Sequence, residues 1–207
     1  LFYLLRGYLG SIMGQMTGQV KPRRRYDGTK RREQSATTRQ RILDAARALM
    51  LERGYRATTI AAIAAQAEVN VDSVYELVGR KPVVLRELIE QAISGTDRAV
   101  PAEERDYVRA MQASHDPVEK LTIYARAMRK IHARMSPLHL ALRDASSTEP
   151  EVEEIWRQVS ERRAANMRRL VQDLKTTGRL RQDMSVSDAA DVVWITNSAE
   201  VYVMLTV

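Results

Sequence analysis

Several hydrogen-bonding side chains lie at short intervals in one segment near the beginning of the chain. Thr58 and Thr59 precede an apolar stretch, Asn70 precedes another, and Tyr75 and Lys81 follow. Hydroxyl, amide and ammonium groups bind phosphate oxygens, and an amide also recognises the edge of a base. The sequence contains no cysteine, glycine-rich phosphate loop, catalytic triad or metal-type spacing. The residue types therefore indicate binding and not catalysis.

Helical periodicity before and within this segment predicts a long helix followed by a short one. The first spans about Thr37 to Arg53, Gly54 ends it, and its apolar face is formed by Ile42, Ala46 and Leu49. The second follows Thr58 and Thr59, which are suitable N-terminal caps. Its apolar residues have helical spacing and are Ile60, Ile63, Ala64 and Ala67.

A third short helix is predicted from about Val71 to Val78. Gly79 ends it, and Pro82 stands where the first turn of a fourth helix begins. Each of the first three helices is too short to be stable alone, so the three must pack together. Two short helices joined by a tight turn and supported by a longer helix form a helix-turn-helix.

The remainder of the chain also has a helical pattern, and no alternation typical of a strand is sustained. Further helices are predicted at about 83–97, 102–113, 117–135, 138–147, 150–177 and 187–207. The predicted fold class is all-α, with an N-terminal three-helix helix-turn-helix module and a larger helical body. The predicted domains are a disordered basic arm at 1–36, the helix-turn-helix module at 37–82 and the body at 83–207.

The positive charge of the chain is concentrated at its beginning. Residues 1–40 contain nine basic and two acidic side chains, whereas residues 41–207 contain 24 of each, so the net charge of +7 lies in the first part. A basic arm attracts a polyanion, although the same composition also suits a solvated tail. Within the arm, Arg23, Arg24 and Arg25 are candidates for contacts with phosphates or with a minor groove.

The segment from Thr58 to Lys81 resembles the tetracycline-repressor (TetR) family of bacterial regulators. The family pattern is TT-x3-IA-x2-A-x-V-[ST]-x3-[LIV]-Y-x2-F-x2-K, and the segment is TTIAAIAAQAEVNVDSVYELVGRK. The stretch VYELVGRKPVVLRELIE and the later NSAEVY look like an actinobacterial branch of that family. The resemblance is specific over about residues 37–95. It implies a transcriptional repressor that binds double-stranded operator DNA.

The resemblance also implies roles for the exposed residues of the motif. Thr59, Tyr75 and Lys81 are expected to hold the DNA backbone, while the exposed face of the third helix reads base edges. The residues of that face are Asn70, Val71, Asp72, Ser73 and Glu76. Asparagine pairs with adenine, a carboxylate accepts from cytosine, and valine meets a thymine methyl. The alternatives are a half-buried core position for Tyr75 and an ordinary solvated position for Lys81.

Three residues depart from the family pattern. Glu68 stands where the family has glycine, and a non-glycine residue at positive φ costs about 1 kcal/mol, so we expect a local difference in the turn. Val78 replaces an aromatic residue, so a smaller side chain fills this position in the core. Asn70 replaces serine or threonine, but asparagine caps a helix equally well.

Relatives use the helical body to bind a small effector and to form a homodimer, which couples the effector site to DNA binding. The candidate pocket residues suit an apolar effector and are Tyr124, Met128, His132, Trp156, Met167 and Trp194. The alternative for each is plain core packing at helical spacing. His132 and His139 lack metal-type spacing with acids, so we interpret them as satisfied surface residues. Neither a metal nor a cofactor is expected.

Both ends of the chain have unusual patterns. The apolar start, residues 1–8, is too short for a signal peptide, and we expect the natural start at Met13 or Met16. The last segment, residues 187–207, has no cap signal at its end, which indicates truncation. It contains three acids, which argue against a membrane span. Relatives pair through their final two helices, and the pattern here contains only the first of these.

Three classes of protein are hypotheses at this point. The first is a cytoplasmic, nucleoid-associated homodimeric repressor that a small apolar effector releases from DNA. The second is an architectural protein that coats DNA without an effector. Only the repressor is expected to prefer one site by well over about 10³-fold. The third is an enzyme within the helical body, and no catalytic motif supports it.

Overall fold

The structure is a computed structural model in which residues 28–206 are described. This part of the chain contains nine α-helices, one short 3₁₀ helix and no strand. The helices are α1 (Gly28–Ala57), α2 (Ile60–Gln66), α3 (Val71–Leu77), α4 (Lys81–Ser94), the 3₁₀ helix (Ala102–Glu104), α5 (Asp106–Ala113), α6 (Pro117–Ser146), α7 (Pro150–Thr176), α8 (Val186–Thr196) and α9 (Ala199–Thr206). The chain divides into two units between Glu33 and Gln34, and the second unit holds all elements after the start of α1.

The first helix, α1, is longer than its sequence pattern predicts. It begins at Gly28 instead of Thr37, because the residues between them are mostly good helix formers. These residues are polar on every side, so they lack the apolar periodicity from which a helix is predicted. Its predicted apolar face is buried, and Ile42, Ala46 and Leu49 are at most 2% exposed. Gly54 interrupts the helix at φ 78° and ψ 168°, a backbone conformation that favours a residue without Cβ.

The short helices α2 and α3 are held by a core that they share with α1 and α4. The side chains of this core that are fully buried include Ile42, Leu43, Ile63, Val74, Val84 and Leu85. Ile60 and Val78 are partly buried against it. Helices of seven residues are too short to persist alone, so burial of this apolar surface stabilises them. The predicted helix-turn-helix is present.

The turn between α2 and α3 contains Glu68 in the left-handed conformation, with φ 52°. The Glu68 N–H donates to Ala65 O at 3.2 Å, and the Val69 N–H donates to Ala64 O at 3.0 Å. This is a Schellman motif, which usually has glycine at the position of Glu68. The expected local difference is therefore absent, since the backbone keeps its glycine-like form. Arg41 supports the turn by donating to the carbonyl of Ala67, the C-cap of α2, and by approaching the Glu68 carboxylate to 3.7 Å.

Two other boundaries lie close to their predicted positions. α4 has Pro82 in its first turn, as predicted, and Gly95 ends it in the left-handed conformation at φ 75°. The helix predicted at 102–113 is divided into the 3₁₀ helix and α5. At the division Arg105 has an extended backbone, and its guanidinium donates to Val100 O at 2.9 and 3.0 Å.

α6 runs through Pro137 without a break, whereas the sequence pattern predicts two helices that meet there. Proline lacks the N–H that would reach the carbonyl of Ala133, a loss of about 3 kcal/mol in a helix interior. Ala133 and Pro137 both lie on the exposed side of the helix. On the opposite side, Leu138 and Leu142 are 0% exposed. Their burial offsets the loss and keeps the helix continuous.

The last segment forms two helices, α8 and α9, instead of the single helix predicted at 187–207. Asn197 ends α8, and Ser198 Oγ caps α9 by accepting from Val201 N at 3.1 Å. The exposed sides of both helices carry large apolar residues, namely Val192, Ile195, Met204 and Leu205. Among residues 28–206, no helix has both the length and the apolar character needed to cross a membrane.

Candidate nucleic-acid interface and body cavity

α3 has one side in the core and one side accessible to a partner. Val74 is 0% exposed and anchors the helix, whereas Tyr75 is 49% exposed and lies outside the apolar core. We call the accessible side, together with its cap, the α3 face; it consists of Asn70, Val71, Asp72, Ser73, Tyr75 and Glu76. Of the residues that the sequence assigned to base reading, Asn70, Val71, Asp72 and Glu76 are exposed and Ser73 is half-buried.

Side-chain caps determine the starts of α2 and α3. Thr59 Oγ1 accepts from Ala62 N at 3.1 Å, and Asn70 Oδ1 accepts from Ser73 N at 2.7 Å. Both cap residues are exposed. Within the described residues, the Thr59 hydroxyl proton and the Asn70 amide nitrogen have no acceptor, so both are available to a ligand. Thr58 differs, because it is buried and its hydroxyl donates to Gly54 O at 2.9 Å.

Lys81, the first residue of α4, is tied to the end of α1. Its Nζ donates to Tyr55 O at 3.2 Å and lies 4.1 Å from the centre of the Tyr55 ring. A cation over an aromatic face gains roughly 0.5–1 kcal/mol at a partly exposed site. The ammonium group has three N–H donors, so two remain after the contact with Tyr55. The fold thus positions Lys81, which is not a freely solvated lysine.

Tyr55 lies near Glu149, in the turn between α6 and α7, at the boundary of the helix-turn-helix and the helical body, and its buried hydroxyl has no hydrogen-bond partner within the described residues. It is 2% exposed, and burial, followed by the nearby Glu149 carboxylate, raises the pKa of its hydroxyl. Two contacts cross the same boundary: Arg56 Nη2 donates to Thr148 Oγ1 at 2.5 Å, and Arg80 pairs with Glu151 at 2.7 Å. We call this set of contacts the junction.

The charges on the α3 face are negative. Asp72 and Glu76 are exposed, and neither forms an ion pair within the described part of the chain. Asp72 lies in the first turn of α3, where the helix dipole favours a carboxylate. Arg23, Arg24 and Arg25 lie outside the described residues, so their contact with DNA stays a prediction.

The helical body contains a cavity of about 240 Å³ between the 3₁₀ helix, α5, α6, α7 and the end of α8. Four of the six predicted pocket residues line it, namely Tyr124, Met128, His132 and Met167. Two further methionines, Met111 and Met135, also line it. Methionine is unbranched and polarisable, so such a wall adapts to apolar ligands of different shape.

A chain of hydrogen bonds crosses one wall of the cavity. His132 Nδ1 lies 3.0 Å from Ser136 Oγ, and His132 Nε2 lies 2.7 Å from Asn197 Oδ1. Asn197 Nδ2 donates to Tyr124 Oη at 2.7 Å, and this hydroxyl donates to Met167 Sδ at 3.3 Å. The amide oxygen can only accept, so His132 carries its proton on Nε2 and Ser136 donates to Nδ1. Burial lowers the pKa of His132 and raises that of Tyr124, which keeps both groups neutral.

Trp156 and Trp194 are not among the residues that line this cavity. The Trp156 ring packs against His139 with ring centres 4.8 Å apart. Trp194 lies beneath the Arg163 guanidinium, 3.9 Å from the ring centre. Arg163 also donates to the carbonyls of Trp194 and Asn197. It thereby satisfies the C-terminal end of α8, where unpaired carbonyls attract a cation.

His132 and His139 are buried, and their interpretation as surface residues is wrong. They are 5% and 4% exposed, and both line the cavity. α6 packs against α4, α5, α7 and α9, so residues around most of its circumference are covered, and the pattern of one helix could not show this. His139 Nδ1 is buried without a partner, and burial, followed by the nearby Arg163, lowers the pKa of His139 to about 4.

Sequence reasoning missed two residues that organise the body. Asn197 connects α8 to α6 through His132 and Tyr124, and Arg163 closes the end of α8. The sequence did contain a signal for Asn197. An asparagine side chain forms hydrogen bonds with nearby backbone groups in non-helical conformations, so asparagine within an apolar helical stretch favours the end of the helix. Nothing distinguished Arg163 from the other arginines of its charged helix.

Comparisons with known proteins agree with this geometry. Residues 42–77 match a family model described as bacterial regulatory proteins, tetR family. The structure resembles the fatty acid degradation regulator FadR from Bacillus halodurans, with a TM-score of 0.63 and 21% identity over 81% of this chain and 85% of that one. No curated protein matches the chain significantly.

Two further solved structures have the same fold. The ketosteroid transcriptional regulator KstR2 of Mycobacterium tuberculosis is 19% identical, with a TM-score of 0.53 over 81% of this chain and 90% of that one. PfmR from Thermus thermophilus, described as a TetR family transcriptional regulator, is 21% identical, with a TM-score of 0.55 over 80% and 91% of the two chains.

Proposed function

We propose that this chain, whose residues 42–77 match the tetR family of bacterial regulatory proteins, is a homodimeric repressor that leaves its operator DNA when a small apolar effector binds. The family consists of DNA-binding transcriptional regulators, so the chain is a regulator of transcription and not an enzyme. The observation that carries the proposal is the α3 face, which is accessible while Val74 anchors its helix in the core. The protein acts in the bacterial cytoplasm, at the nucleoid.

In the proposed complex, α3 lies in the major groove of double-stranded DNA. Val71 meets a thymine methyl, and Asp72 or Glu76 accepts from cytosine N4, because a carboxylate aimed elsewhere in the groove is repelled by phosphates. Asn70 already uses its amide oxygen in the cap, so its free Nδ2 donates to a base acceptor such as a purine N7. Ser73 lies on the same face and adds a hydroxyl.

The proposed backbone contacts flank this face. The Thr59 hydroxyl and the Tyr75 hydroxyl donate to phosphate oxygens, and Lys81 uses the two N–H donors that Tyr55 leaves free. These contacts position the module without reading sequence. The arm residues Arg23, Arg24 and Arg25 add salt-dependent affinity along the same duplex.

We assign the dimer contact to α8 and α9. Their exposed apolar side chains are 51–82% exposed, and such a surface is suited to burial against the same surface of a second copy. Two-fold pairing sets the distance between two α3 faces, and this distance determines the spacing of the operator half-sites.

The proposed effector site is the methionine-lined cavity. α6 and α7 line it, and the turn that joins these two helices lies near Tyr55, which in turn holds Lys81. A ligand that shifts α6 against α7 therefore acts on a residue at the DNA surface, which is coupling between two sites. FadR and KstR2 are described as regulators of fatty acid degradation and of ketosteroids, and both descriptions agree with an apolar effector.

Selection of bound sequences from a pool of random DNA tests the proposal. We expect a palindrome whose half-sites are about one helical turn apart, bound more than about 10³-fold more tightly than random DNA at the same salt concentration. Recovery of no preferred sequence would contradict a repressor and would favour the architectural alternative.

A further inference from the structure

Arg163 is a cation in the wall of the body cavity that has no acidic partner. Its side chain lines the cavity, is half-buried and forms no ion pair within the described residues. Burial lowers the pKa of its guanidinium, because the charge is partly removed from water. The Trp194 ring and two backbone carbonyls compensate this charge only in part, since a buried charge is normally paired with an opposite one.

The guanidinium of Arg163 keeps N–H donors on an accessible surface. It has five N–H bonds, and the two carbonyls take only those of Nη2. Among the described residues, the only buried side-chain nitrogen or oxygen atoms without a partner are Tyr55 Oη and His139 Nδ1. Nε and Nη1 of Arg163 also lack a partner but are not among these atoms, so they are not buried. Both remain accessible to a ligand.

Asn166 presents a second donor on the same side of α7. It follows Arg163 by three residues, and side chains at this spacing are neighbours on a helix surface. Asn166 also lines the cavity, is half-buried, and has an amide without a hydrogen bond in the described part of the chain. This amide is not among the buried atoms that lack a partner, so it is accessible too. An anion in the cavity can therefore accept from a guanidinium and from an amide.

The charges around the cavity favour an anion at Arg163. Four arginines but only two acidic residues line the cavity. One of these acids, Asp173, pairs with Lys120 at 2.6 Å and lies ten residues further along α7, which is about 15 Å. Glu200, whose charge also acts on Arg163, pairs with Arg143 at 2.7 Å. A carboxylate supplied by a ligand would give Arg163 the partner that these residues do not provide.

We propose that the effector is an apolar carboxylate, whose head group accepts hydrogen bonds from Arg163 Nη1 and Asn166 Nδ2 while its hydrocarbon chain lies along Met167 and Leu170. The inference rests on the proposed effector site and adds a head group to the apolar effector. Met167 and Leu170 follow Arg163 by four and seven residues, so they continue the same side of α7, and both line the cavity. A hydrogen bond between a guanidinium and a carboxylate is assisted by both charges and is about twice as strong as a neutral one.

Calorimetric titration of the full chain with sodium octanoate, 1-octanol and sodium acetate at pH 7.5 tests the head group and the chain separately. We expect octanoate to bind at least about tenfold more tightly than octanol, which has the same number of carbon atoms but no charge. Acetate should bind at least about a hundredfold more weakly than octanoate, because it has no hydrocarbon chain to bury. Octanol or acetate binding as tightly as octanoate would overturn the inference, and so would the absence of octanoate binding.

The variant Arg163→Met tests the cation, with Arg126→Met as the matched control, since Arg126 is exposed and does not line the cavity. We expect Arg163→Met to weaken octanoate binding at least about tenfold and to change octanol binding by less than about twofold. Arg126→Met should change neither affinity. An equal loss for both ligands would mean that Arg163 only supports the wall, and unchanged octanoate binding would refute its role directly.

Asn166→Leu covers the case in which Arg163→Met does not fold, because Arg163 also holds the end of α8. The Asn166 side chain has no hydrogen bond to lose within the described residues, so this variant should keep the fold. We expect octanoate to bind about fivefold more weakly and octanol to bind as before. An unchanged preference for octanoate over octanol would contradict the proposed site.

The DNA selection described above is performed without any carboxylate ligand, so the two proposals fail separately. A protein that selects an operator but does not prefer octanoate refutes only this inference. Loss of sequence preference refutes the proposed function instead.

Discussion

The ammonium group of Lys81 lies 4.1 Å from the centre of the Tyr55 ring and 3.2 Å from the Tyr55 carbonyl oxygen. This double contact holds the start of α4 against the end of α1. Tyr55 is buried, and its ring lies near the Glu149 carboxylate in the turn between α6 and α7. The position of Lys81 therefore depends on the helical body as well as on its own helix.

Replacing the proposed phosphate contacts should weaken binding to all DNA sequences alike. Lys81→Ala removes one phosphate-bound charge, so we expect about a tenfold loss of affinity and a decrease of about 1 in the slope of log K against log salt. Tyr75→Phe removes a neutral hydroxyl and should cost about threefold. Fluorescence anisotropy with operator and random duplexes at several salt concentrations measures both effects.

Lys130→Ala is the control for this experiment, because Lys130 is an exposed lysine on α6, away from the α3 face. It should leave affinity and salt slope unchanged. A change of sequence preference in Lys81→Ala or Tyr75→Phe would mean that these residues read bases.

Glu68→Gly should stabilise the protein. Glu68 has φ 52°, which costs a residue with Cβ about 1–2 kcal/mol, whereas glycine adopts this conformation freely. The exposed contact with Arg41 is worth little, and the greater entropy of glycine in the unfolded chain offsets part of the gain. We expect the free energy of unfolding in urea to rise by about 0.5–1 kcal/mol.

Glu76→Gly provides the matched comparison, since Glu76 is an exposed glutamate within the helical backbone of α3. There glycine should lower the free energy of unfolding by about 1 kcal/mol. If both substitutions destabilise the protein equally, the left-handed turn at Glu68 carries no strain.

Acidification should destabilise the protein through His139. Its pKa is about 4 in the folded protein against 6.5 for the ordinary side chain, so between these values the unfolded chain binds a proton that the folded chain does not. Stability is therefore full above about pH 6.5 and falls as the pH decreases towards 4. Between pH 7.5 and 5, the share of His139 in the loss is about 2 kcal/mol.

Urea unfolding at pH 7.5, 6 and 5 measures this dependence, and His139→Leu should remove about 2 kcal/mol of it. His132, whose pKa is also lowered, contributes in the same direction and remains in that variant. His115→Leu should preserve the full dependence. An unchanged pH dependence in His139→Leu would show that the His139 ring is not held neutral by burial.

Asn197→Leu should destabilise the helical body. The substitution removes the acceptor of His132 Nε2 and the donor to Tyr124, and each polar group left without a partner in the interior costs about 1–3 kcal/mol. We expect a loss of about 2–4 kcal/mol, measured by thermal and urea unfolding. Thr196→Ala changes an exposed neighbour and should alter stability by less than about 0.5 kcal/mol. Equal stability of the two variants would contradict the hydrogen-bond chain.

The sequence by itself determined the helix-turn-helix. Its signals are local: Thr59 and Asn70 are caps for the helices that follow them, Gly54 accepts a positive φ, and Ile63 and Val74 recur at helical spacing. Local conformation and one-sided burial obey rules that act over a few residues, so the sequence was sufficient to predict the order of these elements and the composition of the α3 face.

The tertiary structure decided the features that depend on contacts between distant residues. α6 continues through Pro137 because Leu138 and Leu142 are buried against other helices. The chain breaks after α8 where Asn197 binds His132 and Tyr124, and these residues are 65 and 73 positions away along the sequence. Burial of His139 likewise depends on helices packed around α6. Such packing energies outweigh local propensity, and no pattern within a single helix reports them.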